Sequence, residues 1–287
     1  MIVTRFAPSP TGALHLGHAY AAITAHDAVK VVGGRFLVRI EDIDRTRCRP
    51  EFETAIFEDL AWLELSWETP VLHQSERFDA YRAALDVLNS QQLLYPCFCT
   101  RAEIAAEIAR ASEAPHGPEG ALYPSACRHL DEAQRLERIA SGVAYALRLD
   151  CTKAVARAGT LAFEEFGAGP NDEHGTIAVD PHLFGDIVLA RKEIPASYHL
   201  AVVVDDAFQG ITLVTRGNDL FAATHVQRLL QTLLDLPTPD YAHHKLILGA
   251  QGRKLSKRDH AATLRAMREG GVTARRVRKQ LELAQSN

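Results

Sequence analysis

Two histidines three residues apart, His15 and His18, follow a turn that holds Pro8, Ser9, Pro10, Thr11 and Gly12. The prolines and glycine stop a preceding strand, Ile2-Val3-Thr4, and the small residues from Ala19 to Ala25 start a helix. A helix start of this kind presents unpaired N–H groups and a positive dipole end, so it suits a phosphate. At that spacing both imidazoles project to one side and can donate to phosphoryl oxygens, although the same spacing also suits a surface histidine pair. Far along the chain, Lys254 and Lys257 flank Leu255-Ser256 in a Gly-containing loop, where two ammonium groups can contact a polyphosphate; alone, such a run also reads as a solvated loop. A third group is cysteine-based: Cys97 and Cys99 are separated by one residue, and Cys127 lies downstream. Zinc asks for four ligands, which Cys97, Cys99 and Cys127 can supply with one of Tyr123, His129 or His116; buried free cysteines are the other reading of the same residues. Cys48 and Cys151 have no close partner in sequence and read as structural.

These residues need a frame. Phe36-Leu37-Val38-Arg39-Ile40 reads as a buried strand, so strand, helix and strand within the first 40 residues predict a βαβ unit and a parallel sheet. Ligands bind outside the carboxyl ends of such strands, which places Arg5–Gly12 and Glu41–Arg45 on one rim. Pro50 opens a helix through Leu63, and a further helix is expected from Glu76 to Gln91 with Phe78, Tyr81, Leu85 and Leu88 as core. Ser112–Gly120 reads as a loop and Ala144–Phe166 as strand-like. Asp186–Arg191 is a strand candidate, and Gly210–Gly217 is a buried strand ending in Arg216 at the rim. Asp219 is expected to cap a helix to about Leu234.

Composition sets outer bounds. With 47% hydrophobic and 24% charged residues the chain is an ordinary globular protein, and no apolar run spans a bilayer or resembles a signal peptide, so a cytoplasmic location and no membrane partner are expected. The net charge of −4 does not announce a nucleic-acid binder, yet Arg253–Lys279 holds ten Lys/Arg against two Asp/Glu, as a nucleic-acid partner requires.

With these pieces placed, the chain resembles the class I aminoacyl-tRNA synthetases. His15-Leu16-Gly17-His18 is similar to their "HIGH" signature and Lys254-Leu255-Ser256-Lys257-Arg258 to "KMSKS", in order and about 240 residues apart. Arg5–Gly12, Arg39–Arg45 and Asp205-Asp206 through Arg216-Gly217 narrow the resemblance to the glutamyl branch. Only about 30 residues follow Arg258, so no anticodon-binding domain is expected, as in the short paralogues of that branch.

The resemblance implies an α/β fold: a Rossmann-type parallel sheet with a zinc-bearing insertion and a short helical tail. It implies a first catalytic half over 1–94 and an insertion over 95–143 in an acceptor-like subdomain continuing to about 180. A second catalytic half over 181–240 and the signature loop with tail over 241–287 complete the chain. It implies His15, His18 and Lys257 as catalytic, and Gly17 and Lys254 as further ATP contacts. Glutamate falls to Arg5, Ala7, Ser9, Glu41, Tyr198 and Arg216. One structural Zn²⁺ falls to Cys97, Cys99, Tyr123 and Cys127, with Tyr-Pro-x-x-Cys intact but a long Cys99–Tyr123 spacer. The implied partners are glutamate, ATP with Mg²⁺, and the anticodon arm of tRNA(Asp) carrying queuosine; a monomer is expected. The implied reaction is tRNA-independent formation of glutamyl-adenylate and transfer of glutamate to the wobble queuosine. Charging of the 3′ end of tRNA(Glu), or tRNA binding without catalysis, are the other readings.

Overall fold

The computed structural model describes residues 1–110, 116–118, 120–247 and 262–285; the expectations on Lys254–Arg258 and on most of the Ser112–Gly120 loop lie outside the described residues. The chain opens with β1 (Val3–Phe6), α1 (Leu16–Lys30) and β2 (Arg35–Ile40), and β1 and β2 pair in parallel from Val3↔Arg35 to Phe6↔Val38. Every β1 residue is buried, as a strand covered on both faces must be. α2 (Pro50–Trp62) starts on its proline with Glu51 and Glu53 in the first turn, where the dipole favours them. β3 (Leu72–His73) extends the parallel sheet beside β2, and α3 (Phe78–Ser90) buries Tyr81, Leu85 and Leu88. It begins two residues later than expected because Gln74–Glu76 form a 3₁₀ turn.

An antiparallel unit interrupts the sheet. It contains β4 (Leu94–Cys97), α4 (Arg101–Arg110), the short pair β5 (His116–Gly117) and β6 (Gly120–Ala121), α5 (Glu132–Ala140) and β7 (Ala146–Leu149). After it come α6 (Cys151–Ala158), β8 (Ala162–Glu165), β9 (Gly175–Ala178) and β10 (Val188–Ala190), and β7 lies between β10 and β4. The strand-like reading of Ala144–Phe166 is therefore corrected in its middle. Asp150 caps α6 by accepting from the Lys153 N–H at 3.2 Å, and Gly159 ends it at φ 69°. Eight residues carry too little periodicity to announce a helix between two strands.

The parallel sheet resumes through α7 (Tyr198–Phe208), β11 (Leu213–Gly217), α8 (Phe221–Leu233) and β12 (Asp240–His244). Asp219 lies within a 3₁₀ turn, Asn218–Leu220, and does not cap α8, which starts at Phe221. β11 pairs in parallel with β12, and β12 with β8. The Thr212 N–H donates to the Val3 carbonyl at 3.0 Å, and the Val3 N–H to Thr212 Oγ1 at 2.9 Å, so β11 starts beside β1. From β1 the chain builds outward through β2 and β3 on one side; β11 and β12 lie on the other. The order thus reverses between β1 and β11, and the carboxyl ends of these strands are where such a sheet binds its ligand in a crevice.

The last elements, α9 (Leu264–Glu269) and α10 (Ala274–Gln285), pack Leu264, Val277 and Leu281 against α1 and α2 in the core below β1 and β2. Among the described residues no helix is long and apolar enough to cross a membrane.

Candidate active site

The crevice has two ends, and α1 makes the first. His15 is its N-cap: the Gly17 N–H donates to His15 Nδ1 at 3.1 Å, and the His15 N–H donates to His18 Nδ1 at 3.2 Å. The two rings lie 3.9 Å apart at their centroids. Because each Nδ1 accepts, the proton of each neutral imidazole sits on Nε2, the donor position a phosphoryl oxygen needs. Gly17 permits this fold-back, since a Cβ there would stand 3.0 Å from His15 Cε1. The reciprocal caps give the two histidines a defined geometry that a loose surface pair would lack.

Both described flanks of residues 248–261 arrive at this helix start. Thr263 bridges to His15, and the Leu264 N–H donates to the Leu14 carbonyl at 2.9 Å. On the other flank the His244 ring stands 4.5 Å from that of Tyr20, and Ile247 packs on the α1 core. Lys254 and Lys257 themselves lie outside the described residues.

The second end lies under β1, β2 and β11. Arg5, 6% exposed, donates through Nε and Nη2 to the two Asp206 oxygens at 3.0 and 3.3 Å. Arg39, fully buried, donates to the same Asp206 at 2.6 Å, to Gln209 at 3.0 Å and to Glu41 at 3.2 Å. Burial opposes ionisation of Asp206, but Arg5 and Arg39 outweigh it and hold the carboxyl below its usual range. At Glu41 burial wins over Arg39 and Arg5, and the carboxyl is raised. An ammonium arriving beside Glu41 would relieve that penalty. The Glu41 N–H donates to the Pro8 carbonyl at 3.0 Å, which ties the loop carrying half-buried Ala7 and exposed Ser9 to the end of β2.

Arg216 is different. Its Nε donates to His243 Nε2 at 3.0 Å, Nη1 to Gln227 at 2.8 Å and Nη2 to Thr224 at 2.7 Å, all neutral acceptors. Among the described residues no carboxylate stands in salt-bridge range of it. Arg216, Glu41 and Arg5 all lie close enough to act electrostatically on the Tyr198 phenol, whose pKa burial raises. The structure thus brings Arg5, Glu41, Tyr198 and Arg216 into one buried, charged neighbourhood. Tyr198 also borders a cavity of about 360 Å³ that runs to Tyr123, past Arg148 and His199.

Sequence reasoning assigned no role to Arg39, Asp206, Glu165, His243, Thr224 or Gln227. A charged residue inside an apolar strand was the available signal for Arg39, and the Asp205-Asp206 pair at the end of an apolar run was the signal for Asp206. Consecutive helical positions point about 100° apart, so Asp205 faces elsewhere, taking bonds from Gln74, Arg77 and Tyr81.

The cysteine group also converges. The Cys97, Cys99 and Cys127 thiols lie within 4.8 Å of one another. The Tyr123 hydroxyl stands 3.3 Å from Cys97 Sγ and 3.7 Å from Cys99 Sγ, and Cys99 and Cys127 are 3.4 Å apart. Zinc–sulfur bonds of 2.3 Å in a tetrahedron set ligand separations of about 3.8 Å, so these four side chains fit zinc without rearranging the backbone. The Phe98 N–H donates to Cys127 Sγ at 3.4 Å, a contact suited to a thiolate. Among the described groups His129 does not belong to the cluster, and the His116 side chain lies outside the described residues.

The glutamyl-Q tRNA(Asp) synthetase of Rhodobacter capsulatus is 46% identical over 287 residues, covering 98% of this chain and 100% of the relative. That of Symbiobacterium thermophilum is 41% identical, with 96% and 84% covered. The crystal structure of the glutamate-tRNA synthetase from Elizabethkingia anophelis superposes with a TM-score of 0.75 at 28% identity, over 90% of this chain and 53% of that one, so this chain spans about half of its length. Residues 1–283 match the family model of the tRNA synthetases class I (E and Q), catalytic domain, and the chain belongs to that family, among the glutamyl-Q tRNA(Asp) synthetases.

Proposed function

We propose that this chain activates glutamate with ATP in the absence of tRNA and transfers it to the queuosine base at the wobble position of tRNA(Asp). The observation that carries the activation step is the pairing of the capped His15–His18 helix start with a buried pocket whose charges match a dicarboxylic amino acid. Glu41 receives the α-ammonium; Arg216, with which no carboxylate among the described residues pairs, receives the side-chain carboxylate. Arg5 is oriented by Asp206 at the same pocket, with Ala7, Ser9 and Tyr198 on its walls.

The α-carboxylate of glutamate attacks the α-phosphorus of ATP, a P–O bond forms, and pyrophosphate leaves. His15, His18 and Gly17 hold the nucleotide at the helix start with Lys254 as a further contact, and Lys257 stabilises charge on the departing pyrophosphate; Mg²⁺ carried with ATP would neutralise phosphate charge there. A hydroxyl of the cyclopentenediol of queuosine then attacks the glutamyl carbonyl, releasing AMP. The cavity between Tyr198 and Tyr123 offers that hydroxyl a way in. Cys97, Cys99, Tyr123 and Cys127 would hold zinc, which would supply a structural cross-link. The Arg148 guanidinium lies 3.7 Å over the Tyr123 ring, so that cross-link would also brace the cavity wall.

Glutamate-dependent ATP–pyrophosphate exchange without tRNA tests the activation step. Exchange is expected, and His18→Ala is expected to lower it by ~10²–10³. Exchange that requires tRNA overturns the reading.

A further inference from the structure

Behind Arg216 lies a buried pair that the reaction itself does not use. His243 Nδ1 stands 2.5 Å from Glu165 Oε2, with both side chains fully buried, and the other Glu165 oxygen accepts from the N–H groups of His243 and Gly167 at 2.8 Å each. With Glu165 ionised, Nδ1 must carry the ring proton, so His243 Nε2 presents a lone pair. The Nε–H of Arg216 donates into that lone pair at 3.0 Å. The opposite tautomer would set two donors against each other. Thr224 and Gln227 complete the grip with neutral oxygens, and Gln227 Nε2 is a buried donor with no acceptor of its own among the described residues.

We propose that the Glu165–His243 pair is the positioning device of the amino-acid pocket: it fixes the Arg216 guanidinium through a neutral acceptor, so that the cation is oriented yet left to pair with the carboxylate of an acidic amino acid. A carboxylate in the place of His243 would orient the arginine equally well and would neutralise it, as Asp206 does for Arg5 and Arg39. The relay through an imidazole moves the anion one residue back. The pocket therefore discriminates glutamate from its uncharged amide, glutamine, by the unpaired charge an amide leaves behind. This inference rests on Arg216 being the contact of the side-chain carboxylate, as proposed above.

The test compares full-length variants in ATP–pyrophosphate exchange. In His243→Leu the glutamate KM is expected to rise about 10- to 100-fold, as for loss of a hydrogen bond to a charged group, with the ATP KM within about twofold and the preference for glutamate over glutamine reduced. His243→Gln, whose amide oxygen can accept from Arg216, is expected to restore the glutamate KM to within about threefold of the parent. Arg216→Leu is the control. If it raises the glutamate KM while His243→Leu does not, the positioning role is overturned; if Arg216→Leu leaves that KM unchanged, the underlying assignment fails and the relay with it. ¹⁵N NMR of the parent protein reads the tautomer even where His243→Leu does not fold. His243 protonated on Nδ1 alone at neutral pH is expected, and an Nε2–H ring or an imidazolium overturns the proposal.

Discussion

One carboxylate, Asp206, serves two buried arginines, and that economy makes it the most exposed point of the site to substitution. In Asp206→Asn, Arg5 and Arg39 keep their burial and lose their shared counter-charge. Breaking a buried pair on one side costs about 3–5 kcal/mol, so denaturant unfolding at neutral pH is expected to show a loss of that order, with glutamate activation falling alongside. A change below about 1 kcal/mol would mean that Glu41 alone suffices for Arg39. At this scale the sequence was legible where the topology fixed a residue's place. Arg5, Glu41 and Arg216 all stand at carboxyl ends of β1, β2 and β11, and the crevice rule finds them. Glu165 and His243 were not legible, because they act on Arg216 across β8 and β12, whose pairing at Tyr241↔Glu165 only the folded sheet reveals.

At the scale of elements, α2 and α9 meet at an unusual carboxylate. Asp59 is fully buried on α2; among the described residues neither of its oxygens accepts a hydrogen bond, and Arg268 on α9 stands 3.8 Å away. Burial pushes its carboxyl up to about 6 despite Arg268 and Arg265. The folded value lies above the unfolded one, so the protonated fold is favoured at low pH and the advantage is lost as pH rises through about 6. Asp59→Asn is therefore expected to raise the melting temperature at pH 7 by about 2–4 °C for a gain of roughly 1 kcal/mol, and to have a shrinking effect toward pH 4. Destabilisation at pH 7 would show that the Arg268 contact outweighs burial. The cysteine unit makes a second prediction: one zinc per chain by elemental analysis, lost in Cys97→Ser, with adenylate formation largely retained and transfer impaired because Tyr123 lines the cavity. Metal-free protein with full transfer would refute it. Among elements, the long strands and α1 to α3 were readable from periodicity. α6 was too short, and α7 hides its helical period in a run, Leu200–Val203, that is buried on all sides.

The whole molecule carries a net charge of −4, yet its last elements are basic. Folding spends part of that surplus: Arg268 and Arg265 pair with Glu58, and Arg278 with Asp27. Arg275, Arg276 and Lys279 stay exposed on α10. The sequence count of ten cations therefore overstated the charge on offer to RNA, since ion pairing between distant elements is invisible before the fold is known. Charge reversal at Arg275 and Arg276 is expected to weaken tRNA binding and to flatten the slope of log K against log salt by about 1.4–1.8 for two phosphate contacts, with adenylate formation unchanged. An unaltered slope would remove α10 from the RNA-binding surface.

On this reading one site activates glutamate without tRNA and delivers it to a modified anticodon base. The most direct test incubates the protein with ATP, labelled glutamate and three RNAs: tRNA(Asp) with queuosine, tRNA(Asp) with unmodified guanosine at the wobble position, and tRNA(Glu). Label on the queuosine-bearing tRNA(Asp) alone is the predicted result. Label on tRNA(Glu), or equal label on both forms of tRNA(Asp), would contradict the account.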